Sequence, residues 1–379
     1  MTTINLDNAA TTPIDREVID IMHQSMIENN GNPSSTHHLG RKAKAAVETA
    51  RKNIAQHFNV SASEIIFTAG GTEADNLILH NAVLNLGVKT IITSKIEHHA
   101  VLHTCLYLQK TYNVSIKYVD INENGEIDIL HLESLLKVEA PHTSLVSLMY
   151  VNNEIGNILD IKAVSKLCST YQALFHSDTV QAIGHYHIDL KETPLDFIAA
   201  SAHKFHGPKG VGFAYFKKGY GILPMLHGGD QEKGARSSTE NVHSIIGMDK
   251  ALEIAITNME LDANYLTSLK DYFIQELTSN FRGTLFNGNS SILDKSSYTI
   301  LSVRFANAND MLIFTLDLKG IAVSGGSACQ SGSNKGSHVL NEILLDKEAD
   351  KTSIRFSFSK NTTKEELDIT ILNLKELLN

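Results

Sequence analysis

The sequence predicts an α/β protein, with a mostly parallel sheet covered by helices and a smaller α+β unit after it. Three observations lead there. Short apolar runs alternate with longer helical patterns up to about Asn241, the alternation that parallel sheets wrapped on both faces produce. Beyond Asn241 the pattern changes to one long helical stretch running toward Phe281, followed by a few mixed elements. And 379 residues are too many for one simple core, which favours a large and a small unit.

The elements follow in order. Ile65 to Phe67, Thr90 to Thr93, Ser115 to Val119, Ser144 to Tyr150, Ala173 to His176, Phe197 to Ala200 and Val211 to Phe216 are short runs rich in β-branched and aromatic residues, and read as strands. Between them, Arg41 to Phe58, Glu73 to Leu86, Ala100 to Tyr112 and Ile161 to Tyr171 carry helical spacing. After the long helix come a strand over Tyr298 to Arg304, a helix over Asn309 to Leu318, a strand near Ile354 to Phe358 and a closing helix over Lys364 to Leu378.

Bulk properties exclude several classes. A formal net charge of −9 leaves no strongly basic surface overall, so nucleic acid is not an expected partner. No run approaches the ~20 apolar residues of a membrane span. The opening MTTINLDNAATTPID has neither a basic nor an apolar signal region. Cys105, Cys168 and Cys329 form no CxxC pair and no disulfide framework, which points to a reducing, cytoplasmic setting. Cys105 and Cys168 lie among apolar neighbours and read as buried, inert thiols.

A lysine carries the first chemical signal. Ser201-Ala-His-Lys-Phe-His-Gly-Pro-Lys-Gly follows the strand-like DFIAAS, and ligands of open α/β sheets bind at strand ends. Lys204 on such a turn can form a Schiff base with an aldehyde cofactor, although a solubilising surface lysine would look the same. Pyridoxal 5′-phosphate (PLP) would also need a carboxylate on its ring nitrogen. Asp178, directly after the apolar ALF run, can supply it, with Gln181 three residues on; Asp178 could equally cap a helix. For the phosphate, Gly70-Gly-Thr-Glu offers close backbone approach at a helix start, a pattern shared by ordinary strand-to-helix turns. His98, in Glu97-His-His, is a candidate for the aromatic plane against the ring; a third metal ligand at suitable spacing is not evident, so no metal is expected.

Taken in order, Leu6-Asp-Asn-Ala-Ala-Thr-Thr-Pro, Gly31-Asn-Pro-Ser-Ser, Gly70-Gly-Thr-Glu, Glu97-His-His, Asn152-Asn-Glu-Ile-Gly, Asp178-x-x-Gln, Ser201-x-His-Lys, Gly228-Gly-x-Gln-Glu and Ser327-Ala-Cys resemble the NifS/IscS-type cysteine desulfurases over nearly the whole chain. The resemblance implies a PLP-dependent transferase of fold type I. A large domain (15–250) would carry a mostly parallel seven-stranded sheet, and residues 1–14 with 251–379 would form the small domain. It implies a homodimer with active sites near the interface. It also implies roles: Lys204 as the Schiff-base lysine, with Ser201 and His203 beside the phosphate; Gly71 and Thr72 as the phosphate turn; Thr239 as the threonine lent by the partner subunit. Asp178 would hold the ring nitrogen, Gln181 the ring oxygen, His98 the stacked position and a proton-transfer role, and Asn153 with Arg355 the substrate carboxylate. Read on its own, Arg355 lies in a strand-like Ser353-Ile-Arg-Phe-Ser, where a guanidinium can grip a carboxylate bidentately or form an inter-domain salt bridge.

Cys329 sits in a stretch, residues 324–337, in which nine of fourteen residues are Gly or Ser. Such a composition builds little core and is expected to be mobile, and a thiol there is explained better by reactivity than by packing, unless it is a chance exposed cysteine. The resemblance implies that Cys329 takes sulfur from L-cysteine as a persulfide, releasing alanine, and carries it to an acceptor protein serving iron–sulfur assembly or tRNA thiolation. Departures from the family's usual text, at Ser177, Ala235 and Ser357 to Lys360, remove no catalytic group but leave partners and substrate preference open. A selenocysteine lyase or another aminotransferase of the same fold remains as an alternative; the latter would have no need of Cys329.

Overall fold

The computed structural model describes residues 3–306, 311–325, 336–344, 348 and 351–378. Along the chain, β1 (Ile4–Asn5) precedes helices α1 (Arg16–Glu28) and α2 (His38–His57). There follow β2 (Ile65–Thr68), α3 (Gly71–Leu84), β3 (Thr90–Thr93), α4 (His99–Tyr112), β4 (Ser115–Tyr118), α5 (Ile129–Lys137) and β5 (Ser144–Ser147). Then come α6 (Ile161–Thr170), β6 (Leu174–Asp178), β7 (Phe197–Ser201), β8 (Gly212–Phe216) and the 39-residue α7 (Val242–Asn280). Last are β9 (Leu285–Phe286), β10 (Ile300–Arg304), α8 (Leu312–Leu318), β11 (Ile321–Ala322), α9 (His338–Ile343), β12 (Ser353–Ser357) and α10 (Lys364–Leu378).

A seven-stranded sheet of order β2-β8-β7-β6-β5-β3-β4 forms the centre. The pairs β3–β4, β3–β5, β5–β6 and β6–β7 are parallel, whereas β8 runs antiparallel to both β2 and β7. Strands β2, β3, β5, β6, β7 and β8 are buried along their whole length, which is why they read as unbroken apolar runs instead of alternating ones. One face packs Val47 and Ile54 of α2, Val164 of α6 and Met248 of α7; the other packs Leu77 and Ile78 of α3 with Val101, Cys105 and Leu108 of α4. Helix starts are chemically marked: Asp128 accepts from Leu130 N and His131 N ahead of α5, and Asp160 from Ala163 N ahead of α6.

The three-stranded sheet β12-β10-β9 is antiparallel. It packs with Leu269, Phe273 and Leu277 from the second half of α7, Leu312 of α8 and Leu367 of α10. The first half of α7 contributes Ile245, Met248 and Leu252 to the core of the large sheet, so a single helix supports both cores. Among the described residues, no helix is long and apolar enough to cross a membrane.

The expected strands and helices are present with shifted ends. The run read as a strand to Tyr150 stops at Ser147, and the expected helix from Asn309 is described from Leu312. Helices α1, α5 and α9 were not read from sequence; α1 and α5 each bury only two residues, too few to mark a stripe, and α9 is six residues long.

A buried ion pair ties the segment before α7 to this core. Arg51 of α2 reaches both carboxylate oxygens of Glu232 at 2.6 and 2.8 Å and also donates to Ile65 O, while Glu232 accepts from Phe67 N. Both side chains are 3% exposed. Glu232 holds a left-handed backbone (φ 48°) to make this contact. Leaving one charge of such a pair uncompensated costs about 3–5 kcal/mol. Glu232→Ala should lose that much stability in denaturant unfolding, while Lys233→Ala next to it should lose far less.

Candidate active site

The C-terminal ends of the parallel strands open on a cavity of about 890 Å³. Strand β6 delivers Asp178 to its floor, β7 runs into Ser201, His203 and Lys204, and the turn after β2 delivers Gly70, Gly71 and Thr72. His98 from the cap of α4, Asn153, Gln181 and Arg355 complete the expected set on the lining. Of the eleven residues picked from sequence for cofactor or substrate contact, all but Thr239 thus meet in one space. Thr239 is exposed and does not line the cavity of its own chain. Cys329 lies outside the described residues.

Parallel topology explains the gathering. It stacks the ends of β3, β5, β6 and β7 along one edge, so residues far apart in sequence emerge side by side. The turn at Gly70 and Gly71 is tight for a physical reason: a Cβ on Gly71 would lie 2.5 Å from Val180 Cγ2. Helix α3 begins at this glycine, so its first N–H groups, which have no acceptor within the helix, face the cavity. Thr72 adds a hydroxyl on the same lining.

Lys204 Nζ donates to Ala9 O at 2.6 Å and to Ala10 O at 2.9 Å. Gln181 Nε2 donates to the same Ala9 O. The N-terminal segment therefore forms one wall, and Thr12 fastens it through Thr12 Oγ1 to His203 O and His206 N to Thr12 Oγ1. His203 Nδ1 lies 3.2 Å from Thr11 Oγ1; burial, then Lys204 and Lys209, push its pKa down to about 4.

Asp178 is buried, and burial pushes its pKa up, while His98, the Val180 N–H at 2.9 Å and Lys204 pull it back. The Val180 contact closes a local turn in place of the helix cap that the sequence also allowed, and Asp178 still lines the cavity. His98 Nδ1 accepts from Ala100 N at 3.1 Å, so the neutral ring carries its proton on Nε2. Burial lowers its pKa, with Asp178 opposing.

Arg355, 2% exposed, donates from Nη1 to Asn153 O (2.7 Å) and from Nη2 to Asp7 Oδ1 (2.8 Å). Arg355 does form a salt bridge, but to Asp7 of the N-terminal wall, which belongs with Arg355 to the residues expected in the small domain, so it is not the inter-domain bridge weighed as the alternative. Its Nε has no hydrogen-bond partner among the described residues. At the start of the Cys329 stretch Ser324 exchanges backbone hydrogen bonds with Arg355, and just after it His338 Nε2 lies 2.9 Å from Glu97 O.

Sequence reasoning missed Asp75. One ligand-type atom each from Asp75, His98 and Asp178 lie within 4.8 Å of one another, a grouping that His98 and His99 alone did not suggest. A divalent ion could accept this donor set, but Lys204 acts electrostatically on both His98 and Asp178 and opposes added positive charge there. PLP fits better. It would bring a phosphate for the Gly71–Thr72 helix start, an aldehyde for Lys204 and a ring nitrogen for the buried carboxylate of Asp178. The signal that could have found Asp75 is its place on the buried face of α3, among Gly71, Ala74, Ile78 and Ala82.

Comparison with known proteins agrees. The aminotransferase class-V family model matches residues 4–370. Cysteine desulfurase IscS of Dictyoglomus turgidum is 42% identical over 380 residues, covering 99% of this chain and 94% of that protein. The solved structure of a NifS-like protein superposes with a TM-score of 0.90 at 36% identity, covering 100% of this chain and 99% of the other. SspA in complex with cysteine superposes with a TM-score of 0.80 at 29% identity, over 96% and 100% of the two chains. With its fold, its cavity and its relatives in accord, the chain belongs to the class-V aminotransferase family, in the branch of the IscS- and NifS-like cysteine desulfurases.

Proposed function

We propose that the chain is a cysteine desulfurase that takes the sulfur of L-cysteine onto Cys329, releases L-alanine and passes the sulfur to an acceptor protein. The observation that carries this reading is the meeting of Lys204, Asp178, the Gly71–Thr72 helix start and Arg355 on one cavity. The likeness to SspA, described in complex with cysteine, supports L-cysteine as the substrate.

Lys204 would hold PLP covalently, with Gly71, Thr72, Ser201 and His203 about its phosphate, Asp178 at the ring nitrogen, Gln181 at the ring oxygen and His98 against the ring. The bound cofactor supplies an electron sink that lets the substrate Cα–H bond ionise. This chain's own groups do the rest. Arg355 orients the substrate carboxylate with Asn153; its Nε is the open donor, and Asn153 O and Asp7 fix the guanidinium plane. Lys204, steadied by two carbonyls, is placed to move the Cα proton once its amine is released. His98 holds a proton on Nε2 that it can pass to or from substrate. The Cys329 thiolate attacks the substrate sulfur: the new S–S bond forms as the Cβ–S bond breaks, and the carbon fragment keeps that electron pair, gains a proton and leaves as alanine. Ser324 and His338, flanking the Cys329 stretch, are anchored beside Arg355 and His98, which supports an approach of the thiol to this cavity.

The same reading includes a homodimer in which Thr239 of one protomer completes the phosphate site of the other, consistent with its exposure here. It also includes a large domain of residues 15–250 and a small domain of 1–14 with 251–379, and a cytoplasmic setting. The acceptor is a cluster scaffold or a tRNA-thiolation enzyme.

The reading is tested by alanine and sulfide release from L-cysteine under reductant. Wild type should release both in equal amounts. Cys329→Ala should keep the yellow cofactor and lose both products; undiminished turnover by this variant would move the chain to the aminotransferase alternative. Arg355→Lys, which keeps charge but loses the fork, should raise KM about 10- to 100-fold with a smaller change in kcat. Because burial holds His98 below its ordinary value, any acid limb that it sets in kcat/KM should fall below about pH 6.5. His98→Gln should abolish that limb and lower kcat, as a pH–rate series on both proteins would show.

A further inference from the structure

Asp75 has no part in the reaction as drawn above, yet it is 1% exposed and lies beside Asp178. It stands on the first turns of α3, facing the end of β6. Its Oδ1 lies 3.3 Å from His176 Nε2, and neither atom has another hydrogen-bond partner among the described residues. On the far side of the same ring, His176 Nδ1 lies 2.8 Å from Ser147 Oγ. A row therefore runs from β5 through β6 to the cavity floor: Ser147, His176, Asp75, Asp178.

Charge decides how the row is protonated. Two carboxylates this close, both removed from water, cannot both ionise without a cation between them. His176 is no such cation, since complete burial pushes its pKa down to about 3. Asp178 has help as an anion: the Val180 N–H, His98 and Lys204. Asp75 has none of these, and Asp178 and Glu97 both work against its charge after burial itself.

Resting on the cofactor reading above, we propose that Asp75 is a positioning residue that carries a proton at neutral pH and donates it to His176 Nε2, leaving Asp178 as the one anion under the cofactor's ring nitrogen. His176 then keeps its own proton on Nδ1 and gives it to Ser147 Oγ, so every member of the row has a partner. The groups facing Asp75 are Asp178 and His176 on β6, Glu97 and His98 ahead of α4, and Cys105 on α4; Lys204 stands beyond His98 and Asp178.

The protonated acid is mimicked by an amide, so two substitutions separate. Asp75→Asn keeps a donor to His176 and no charge, whereas Asp75→Ala leaves Nε2 without a partner. At about pH 7, the affinity of each protein for added PLP, measured by equilibrium dialysis, should stay within about threefold of wild type for Asp75→Asn and weaken about tenfold or more for Asp75→Ala and Asp178→Asn. Loss of affinity in Asp75→Asn equal to that in Asp178→Asn would overturn the proposal, because it would make the Asp75 charge itself the binding group.

A second arm uses the cofactor-free protein and does not depend on the reading of the site. A carboxyl whose pKa is raised on folding holds a proton that the unfolded chain has released. The stability it contributes is present at low pH and is lost as pH rises through the folded pKa. Between about pH 5.5 and about pH 8.5, wild type should therefore lose more Tm than Asp75→Asn, which lacks that titration. Glu97, held up near 8, titrates in the same window and acts on Asp75, so both curves are measured in a Glu97→Gln background. Parallel Tm curves would overturn the proposal even if the affinities agree. A wild-type protein that takes up no PLP would sink the cofactor reading alone, and the Tm comparison would still decide the proton on Asp75.

Discussion

Burying negative charge at the end of a central strand is the constraint around which this molecule is arranged. Asp178 closes β6, a strand with every residue buried, and is itself only 7% exposed at the cavity floor. An isolated carboxylate there would be costly. The surroundings answer that cost with the Val180 N–H, the His98 ring and Lys204, and the cavity above leaves space for a cationic ring. The sheet's parallel order brings these groups together, since β6 and β7 end at the same edge and Lys204 follows β7 by one short turn.

The N-terminal segment is the second support. Ile4 pairs with Ile321 and Asp7 with Ser357, both in the smaller sheet region, while Ala9 and Ala10 present their carbonyls to Lys204. Asp7 also holds Arg355. A few residues of extended chain thus bind the amine of one core and the guanidinium of the other. Under the proposed function, the relative position of these two cationic groups would set the distance between a covalently held cofactor and a substrate carboxylate. Small displacements at such a site carry large kinetic consequences, which gives the buried contacts of this segment a functional meaning beyond stability.

Much of the fold was legible because fully buried strands leave a coarse signal. TIIT, SLVS and FIAAS are continuous apolar or small-residue runs, and their spacing by helical stretches implied parallel pairing before any contact was known. Helices α1, α5 and α9 escaped notice, and the reversed direction of β8 could not be read, because an antiparallel neighbour leaves the same buried apolar run as a parallel one. At the site, the residues with an unusual local setting were visible: a lysine on a Gly-rich turn, an aspartate after an apolar run, a Gly-Gly-Thr before a helix. Asp75 was not, because an acidic residue early in a helix is locally ordinary and favoured by the helix dipole. Its burial depends on which face of α3 the sheet covers.

By itself the sequence determined the class of structure and named most of the side chains that line the cavity, because residue type and spacing follow from local chemistry. Tertiary structure alone decided that the guanidinium of Arg355 is shared between Asn153 and Asp7, that Lys204 rests on Ala9 and Ala10, and that Asp75 joins Asp178 beside a neutral His176. Each of these is a contact between segments remote in sequence. Their energies depend on distance and on the exclusion of water, and neither exists until the strands have paired and the helices have covered them.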